Sequence, residues 1–295
     1  MSRTLIIGSA GQLGSELLCA FPPGEAFGAD LEAADFQLDI TNYNALRSCI
    51  TEVQPSCVIL AAALHEPAFC EAHPQLAYQI NALSCLETAV LCKNIGARLI
   101  YISTDYVYGG YSFSPVRPFQ EIDPVRPVNV YGKSKTAGER YVIENCSDYL
   151  IIRTASLYGQ NPCRGKKGRN FVETMLARAR EGSPVHVVTD EMCSPTCARD
   201  LAEQISILAT AAPSGIYHAV SKGFCSWYDF AREIFFQFKI DADLLPVQRM
   251  NFQDAFRRPA YSLLDRSKLA RSGLDCMPDW QDGLKKYAAA RSLEI

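Results

Sequence analysis

No apolar run in this 295-residue chain is long enough to cross a membrane, and its start lacks the basic-then-apolar pattern of a signal peptide. Charge of one sign is also lacking. The net charge is −3 and the pI near 5.9, which excludes nucleic acid as the main partner. The one compact basic cluster, Arg164, Lys166, Lys167 and Arg169, reads as a solvated loop, with phosphate binding as the lesser reading. Histidine is scarce: four residues, none at a paired spacing, give no metal signature. The twelve cysteines include no C-x-x-C. Cys193 and Cys197 make only a C-x-x-x-C, and many thiols sit in apolar contexts such as Ser56-Cys57-Val58-Ile59. A reduced, cytoplasmic protein is the expectation. Repeats and low-complexity tracts are absent as well.

What the chain does have is alternation. Unbroken apolar runs at 5–7, 26–29, 57–62, 99–102 and 150–152 are separated by helical patterns, the first through Leu13, Leu17 and Leu18. Apolar strands spaced by helices predict an α/β fold with a doubly wound parallel (Rossmann) sheet covered on both faces. After Gly159 the texture changes: a polar loop at 160–169, a helix at 171–180, a strand at 186–188, a turn at 193–196 and a helix at 201–208. A strand at 215–220, a helix at 227–238, an irregular stretch at 240–265 and a last helix from Pro278-Asp279-Trp280 complete the chain. The expected division is a dinucleotide-binding domain at 1–159, to which 215–238 returns, and a smaller C-terminal substrate-binding lobe from 160–214 and 239–295.

Four pieces of chemistry lie at predicted strand ends. Gly8, Gly11 and Gly14 form G-x-x-G-x-x-G between a strand and a helix, where backbone can approach a pyrophosphate at a helix N-terminus. The spacing varies from G-x-G-x-x-G, and a plain tight turn is the alternative. Asp30 ends the next strand, where a carboxylate can accept from an adenosine ribose and disfavour a 2′-phosphate, so NADH is favoured over NADPH. Asp39 and Ile40 would then flank the adenine. Ala61, Ala62 and Ala63 let a cofactor lie against backbone, and Ser103-Thr104-Asp105 places a hydroxyl at the crevice to hold a carbonyl. Tyr131 and Lys135, four apart, share one helix face, where the ammonium can lower the phenol's pKa for proton transfer.

With GSAGQLG at 8–14, STDYVYGG at 103–110 and PVNVYGKSKTAGE at 127–139, the chain resembles the extended short-chain dehydrogenase/reductases. Within them IIRTASLYG at 151–159, SPTCARDLA at 194–202, RRPAYS at 257–262 and PDW at 278–280 are similar to the dTDP-4-dehydrorhamnose reductase family. The resemblance implies that Tyr131 protonates the reduced carbonyl oxygen, that Lys135 tunes it and binds the nicotinamide ribose, and that Thr104 orients the carbonyl. It also implies that Asp105 lies beside the sugar, that Gln12 and Leu13 cover the pyrophosphate, and that Ile102 and Ser103 border the nicotinamide. The implied reaction is NADH- or NADPH-dependent reduction of a nucleotide-linked 4-keto-6-deoxy sugar for polysaccharide precursors.

Three departures fall around the sugar. Ser156 stands where the family has tryptophan, Tyr261 where it has asparagine, and the segment after Ala63 keeps only Glu71 of the family pattern while introducing His65. These make His65, Ser156 and Tyr261 candidate substrate contacts and leave another nucleotide-keto sugar open as substrate. A dehydratase would need an acidic pair after Thr104, and Tyr106 breaks it. A non-catalytic regulatory role, like that of the related methionine adenosyltransferase subunit, is the non-enzymatic alternative. Glu16 stands where relatives can bridge subunits through a metal; with no partner carboxylate identified, no metal is expected. A monomer or homodimer is expected.

Overall fold

The computed structural model describes residues 3–110, 117–163, 168–251, 256–259 and 261–292. Arg164, Lys166 and Lys167 of the basic cluster lie outside them. Seven parallel strands form the main sheet: β1 (Thr4–Ile7), β2 (Ala26–Asp30), β3 (Phe36–Gln37), β4 (Cys57–Leu60), β5 (Arg98–Thr104), β6 (Tyr149–Thr154) and, late in the chain, Gly215–His218. That last strand, β11, lies at one edge, in the order β11-β6-β5-β4-β1-β2-β3. Order reverses between β1 and β4, and in open α/β sheets the ligand crevice lies outside the strand ends at such a switch point. β1 and β4 are buried along their whole length, which explains their unbroken apolar runs.

Helices cover both faces. On one side α2 (Tyr43–Val53), α5 (Ser84–Ile95) and α6 (Val130–Asn145) bury Leu46, Ile50, Cys92 and Val142 against Leu5, Val58 and Leu99. On the other, α1 (Gln12–Ala20) and α8 (Ala198–Ala211) bury Leu13, Leu17, Leu201 and Ile205 against Ile6, Ile59 and Ile152. Short helices α3 (Pro67–Ala72) and α4 (Pro74–Tyr78) lead into one wide π-turn at Gln79–Leu83 before α5.

A third core lies beyond the sheet. There α7 (Phe171–Arg180), α9 (Trp227–Phe238) and α11 (Trp280–Ser292) pack Val172, Phe230, Ile234 and Leu284 around Tyr158. Short strands β7 (Leu157–Tyr158), β8 (Val185–Val188), β9 (Met192–Cys193), β10 (Thr196–Cys197), β12 (Cys225–Ser226) and β13 (Leu244–Val247) pair as β7–β10, β9–β12 and β8–β13. The short α10 (Ser267–Arg271) closes against β11.

The packing divides two expected segments. Of 215–238, the strand joins the sheet beside β6, but helix α9 buries its apolar face in the third core rather than returning. Conversely α8, placed by sequence in the small lobe, packs along α1 on the sheet. The irregular stretch at 240–265 also contains a parallel partner for β8.

Candidate active site

The glycine turn is shaped by close contact. Gly8 has φ +92°, and a Cβ there would lie 2.4 Å from the Ala62 nitrogen, so the turn and the Ala61–Ala62 backbone touch only because Gly8 has no side chain. Ala61 and Ala62 both donate N–H to Ile7 O at 2.9 Å. Gly11 caps α1 without a side-chain cap, leaving first-turn N–H groups at Gln12 and Leu13 for an anion. The Ser9 hydroxyl in this turn is buried and lacks a hydrogen-bond partner. An uncapped helix N-terminus, an orphaned hydroxyl and small residues at the β4 end fit a dinucleotide pyrophosphate.

Asp30 braces the same turn. Its Oδ2 accepts from Ala10 N–H at 2.8 Å and its Oδ1 from Leu31 N–H at 2.7 Å. Asp39 is exposed and accepts from the Thr41 amide and hydroxyl at 2.9 and 2.7 Å, while Ile40 is buried in the core.

The second half of the site joins β5 to α6. Asn129 caps α6 by accepting from Gly132 N–H at 2.8 Å, and Glu71 accepts from Val130 N–H at 2.7 Å. That bond gives Glu71 a structural purpose: it fixes the start of the helix that carries Tyr131 and Lys135. Gly132 lets α6 approach, since a Cβ there would lie 2.2 Å from Tyr106 O. The Tyr131 ring then meets Tyr106 edge-on at 5.6 Å, and the Thr104 hydroxyl lies close enough to the phenol to pull its pKa down. Thr104 Oγ1 donates to Asp105 Oδ1 at 3.2 Å, and Asp105 Oδ2 accepts from Ser262 at 2.5 Å. The structure thus brings together Tyr131, Thr104 and Asp105.

Burial dominates the electrostatics at the dyad. Lys135 is only 2% exposed, its ammonium 4.1 Å from the Tyr101 ring centre. Burial pulls its pKa down to about 8, against the nearby Cys85 and Glu139, which favour the charge. Burial likewise pushes the Tyr131 phenol up, and the Thr104 hydrogen bond is the largest influence opposing it. Asp105, Cys70 and Tyr106 add to the upward push on the phenol. Tyr131 stays protonated at neutral pH and stands ready as a donor. Asp105, buried at 9% exposure, is raised to about 6 by burial despite its hydrogen bonds.

Ser103 heads a buried chain of polar side chains. Its hydroxyl donates to Glu139 at 2.5 Å, and Glu139 forms a two-pronged ion pair with Arg153 at 2.9 and 2.6 Å. Arg153 continues to Tyr108 OH at 2.6 Å, which meets His218 Nε2 at 3.2 Å. This buried chain braces β5, α6 and β6 beneath the dyad. Ile102, next to Ser103, is half-buried.

The three departures fall as follows. Tyr261 is half-buried with its ring edge-on to Phe119 at 5.9 Å, beside Ser262. Ser156 takes a left-handed backbone (φ +47°) and its side chain acts on the buried Cys193 thiol, favouring the thiolate. His65 contacts Cys163 Sγ through Nε2 at 2.9 Å. Sequence reasoning missed Asn81, whose side chain holds both Leu64 N–H and Leu64 O at 2.9 Å and whose carbonyl accepts from Tyr101 at 2.7 Å. It also missed Glu139, Arg153, Ser262 and Cys163. Only the placement of Glu139 and Lys135 four apart on α6 hinted at a shared helix face.

Glu16 has neighbours as well. Packing of α1 on α8 sets it near Arg199, Glu203 and Asp200, and burial with the two carboxylates raises its pKa. Among the described residues no group of His, Cys, Asp or Glu is placed to hold a metal ion, and no helix is long and apolar enough to cross a membrane.

The family model described as the RmlD substrate binding domain matches residues 2–292. The spore coat polysaccharide biosynthesis protein SpsK of Bacillus subtilis is 35% identical, covering 99% of both chains. A dTDP-4-dehydrorhamnose reductase of Streptomyces griseus is 37% identical over 96% of this chain and 91% of its own. The solved dTDP-4-dehydrorhamnose reductase of Bacillus anthracis, in complex with NADP, superposes with a TM-score of 0.89 at 36% identity, covering 98% of this chain and 100% of its own. The chain belongs to the RmlD substrate binding domain family, in the dTDP-4-dehydrorhamnose reductase group of the extended short-chain dehydrogenase/reductases.

Proposed function

We propose that this protein reduces the 4-keto group of a nucleotide-activated 6-deoxy sugar, in the manner of a dTDP-4-dehydrorhamnose reductase, to supply polysaccharide precursors. The observation that carries this reading is the Tyr131 phenol near Thr104, whose hydroxyl bonds Asp105, with buried Lys135 one turn along the same helix, on the sheet whose β1 end carries the open glycine turn. A nicotinamide dinucleotide supplies the hydride. Gln12 and Leu13 N–H groups hold its pyrophosphate, Ala61, Ala62 and Ala63 lie along it, and Lys135 binds the nicotinamide ribose.

Thr104 and Tyr131 hold the substrate carbonyl oxygen, and the phenol passes its proton to that oxygen as the alcohol forms. Asp105 and the departures His65, Ser156 and Tyr261 shape the sugar pocket. Asp30 supports NADH over NADPH. Its two N–H donors soften that bias, so both cofactors are accepted. Residues 1–159 with β11 form the dinucleotide-binding part, and the core around Tyr158 belongs to the substrate lobe. A cytoplasmic setting suits the twelve thiols, none of which forms a disulfide among the described residues.

Tyr131→Phe tests the reading. Expected is loss of hydride transfer by at least about 10²-fold, with NAD(P)H affinity nearly unchanged. Substantial residual turnover excludes Tyr131 as the essential acid.

A further inference from the structure

His65 and Cys163 are 98 positions apart and belong to loops that both touch the glycine turn. His65 follows Ala62, whose backbone packs on Gly8, and Leu64 is clamped at both backbone groups by Asn81. Cys163 follows β7, in a loop where Asn161 Nδ2 donates to Ser15 Oγ of α1 at 2.5 Å and Asn170 Nδ2 donates to Gln12 at 3.1 Å. The imidazole–thiol contact of 2.9 Å therefore joins two walls of the crevice.

The other thiols differ in kind. Nine of the twelve are buried, and burial is the main cause that pushes Cys57 and Cys85 up to about 12, which suppresses their thiolates. Cys19 and Cys276 are exposed, but among the described residues the imidazole contact is made to Cys163 alone. Cys163 is half-buried, so it combines access with a neighbouring base.

We propose that Cys163 is an imidazole-activated nucleophile and a site of reversible modification by low-molecular-weight disulfides. With the His65 proton on Nδ1, Nε2 takes the Cys163 proton. The thiolate attacks one sulfur of R–S–S–R, a new S–S bond forms and the old one breaks. The leaving thiolate carries away the proton as R–SH. The Cys163 sulfur is oxidised and the leaving sulfur reduced, and a small thiol reverses the step. The adduct breaks the His65 contact and stands between the two loops, obstructing the nucleotide sugar. The effect on turnover rests on the reductase reading, whereas the thiol chemistry does not.

The test treats the full-length chain with a chromogenic aromatic disulfide at neutral pH, with peptide mapping of the first thiol labelled. Cys163 is expected to label first, with turnover falling in step and returning on treatment with dithiothreitol. His65→Gln should slow that labelling about threefold or more, as loss of thiolate outweighs the gain in intrinsic nucleophilicity. Cys163→Ser should remove the fast phase and leave turnover resistant to the reagent. A fast phase mapping to Cys19 or Cys276 overturns the proposal, as does an unchanged Cys163 rate in His65→Gln. Mapping on the unmutated chain decides the matter even if a variant fails to fold. Rapid labelling of Cys163 in a chain with no reductase activity would uphold the thiol chemistry while removing the function.

Discussion

Replacing Lys135 with methionine should make the protein more stable near pH 7 while disabling it. Lys135 is almost fully enclosed, and burial drops its pKa from 10.5 to about 8. That difference corresponds to about 3 kcal/mol of destabilisation while the folded ammonium is charged. Proton counting sets the sign. Between pH 8 and 10.5 the unfolded chain binds the proton that the folded chain has released, so unfolding free energy rises with pH across that window. Below it the penalty is constant. A methionine side chain would carry no such charge and would keep most of the aliphatic packing, but it loses the ammonium contact with Tyr101, worth about 0.5–2 kcal/mol. The Lys135→Met variant should therefore exceed the parent by about 1–3 kcal/mol near pH 7. That advantage should shrink by about 3 kcal/mol as the pH rises to 10.5. Urea unfolding of both proteins across this range measures the difference. Taking the difference cancels the buried thiols remote from Lys135, such as Cys49 and Cys57, whose raised pKa values act in the opposite sense on each protein alike. A gap that does not change with pH refutes the buried-ammonium reasoning.

Other perturbations test the neighbouring groups. Arg153→Met strands Glu139 as an unpaired buried carboxylate, both side chains being under 5% exposed, and should cost about 3–5 kcal/mol in urea unfolding; a cost under about 1 kcal/mol would deny the pair its bracing role. Asp105→Asn removes a carboxyl raised from 3.8 to about 6, whose stabilising contribution is full below pH 3.8 and is lost as pH rises through 6. The variant should gain about 3 kcal/mol on the parent across that interval, and a constant difference contradicts the enclosure of Asp105. Asp30→Ala removes the acceptor of Ala10 N–H, so both cofactors should bind more weakly and any preference for NADH should narrow; fluorescence titration giving an unchanged affinity ratio contradicts the role given to Asp30.

The sheet was legible because buried parallel strands must be apolar throughout, and β1, β4 and the middle of β6 announce themselves that way. Helices α7 and α9 were legible to the residue because Asn170 and Ser226 cap them, accepting from Glu173 and Asp229 N–H. Short strands such as β9 and β12 have too few residues for a period, and β13 is disguised by Pro246. Where α8 and α9 pack was not legible, because an amphipathic stripe shows that a face is buried without showing against what. The dyad and Thr104 were legible from motif spacing. The His65–Cys163 contact and the Ser103–Glu139–Arg153 chain were not, since each joins residues that only the folded topology brings together.

The most direct measurement is NADH and NADPH oxidation by the purified full-length chain with a panel of dTDP-, UDP-, GDP- and CDP-linked 4-keto-6-deoxy sugars. Turnover is expected with at least one of them, with dTDP first, and its loss in Tyr131→Phe. Tight cofactor binding without turnover on any member would contradict the reductase assignment and leave a role exercised through association.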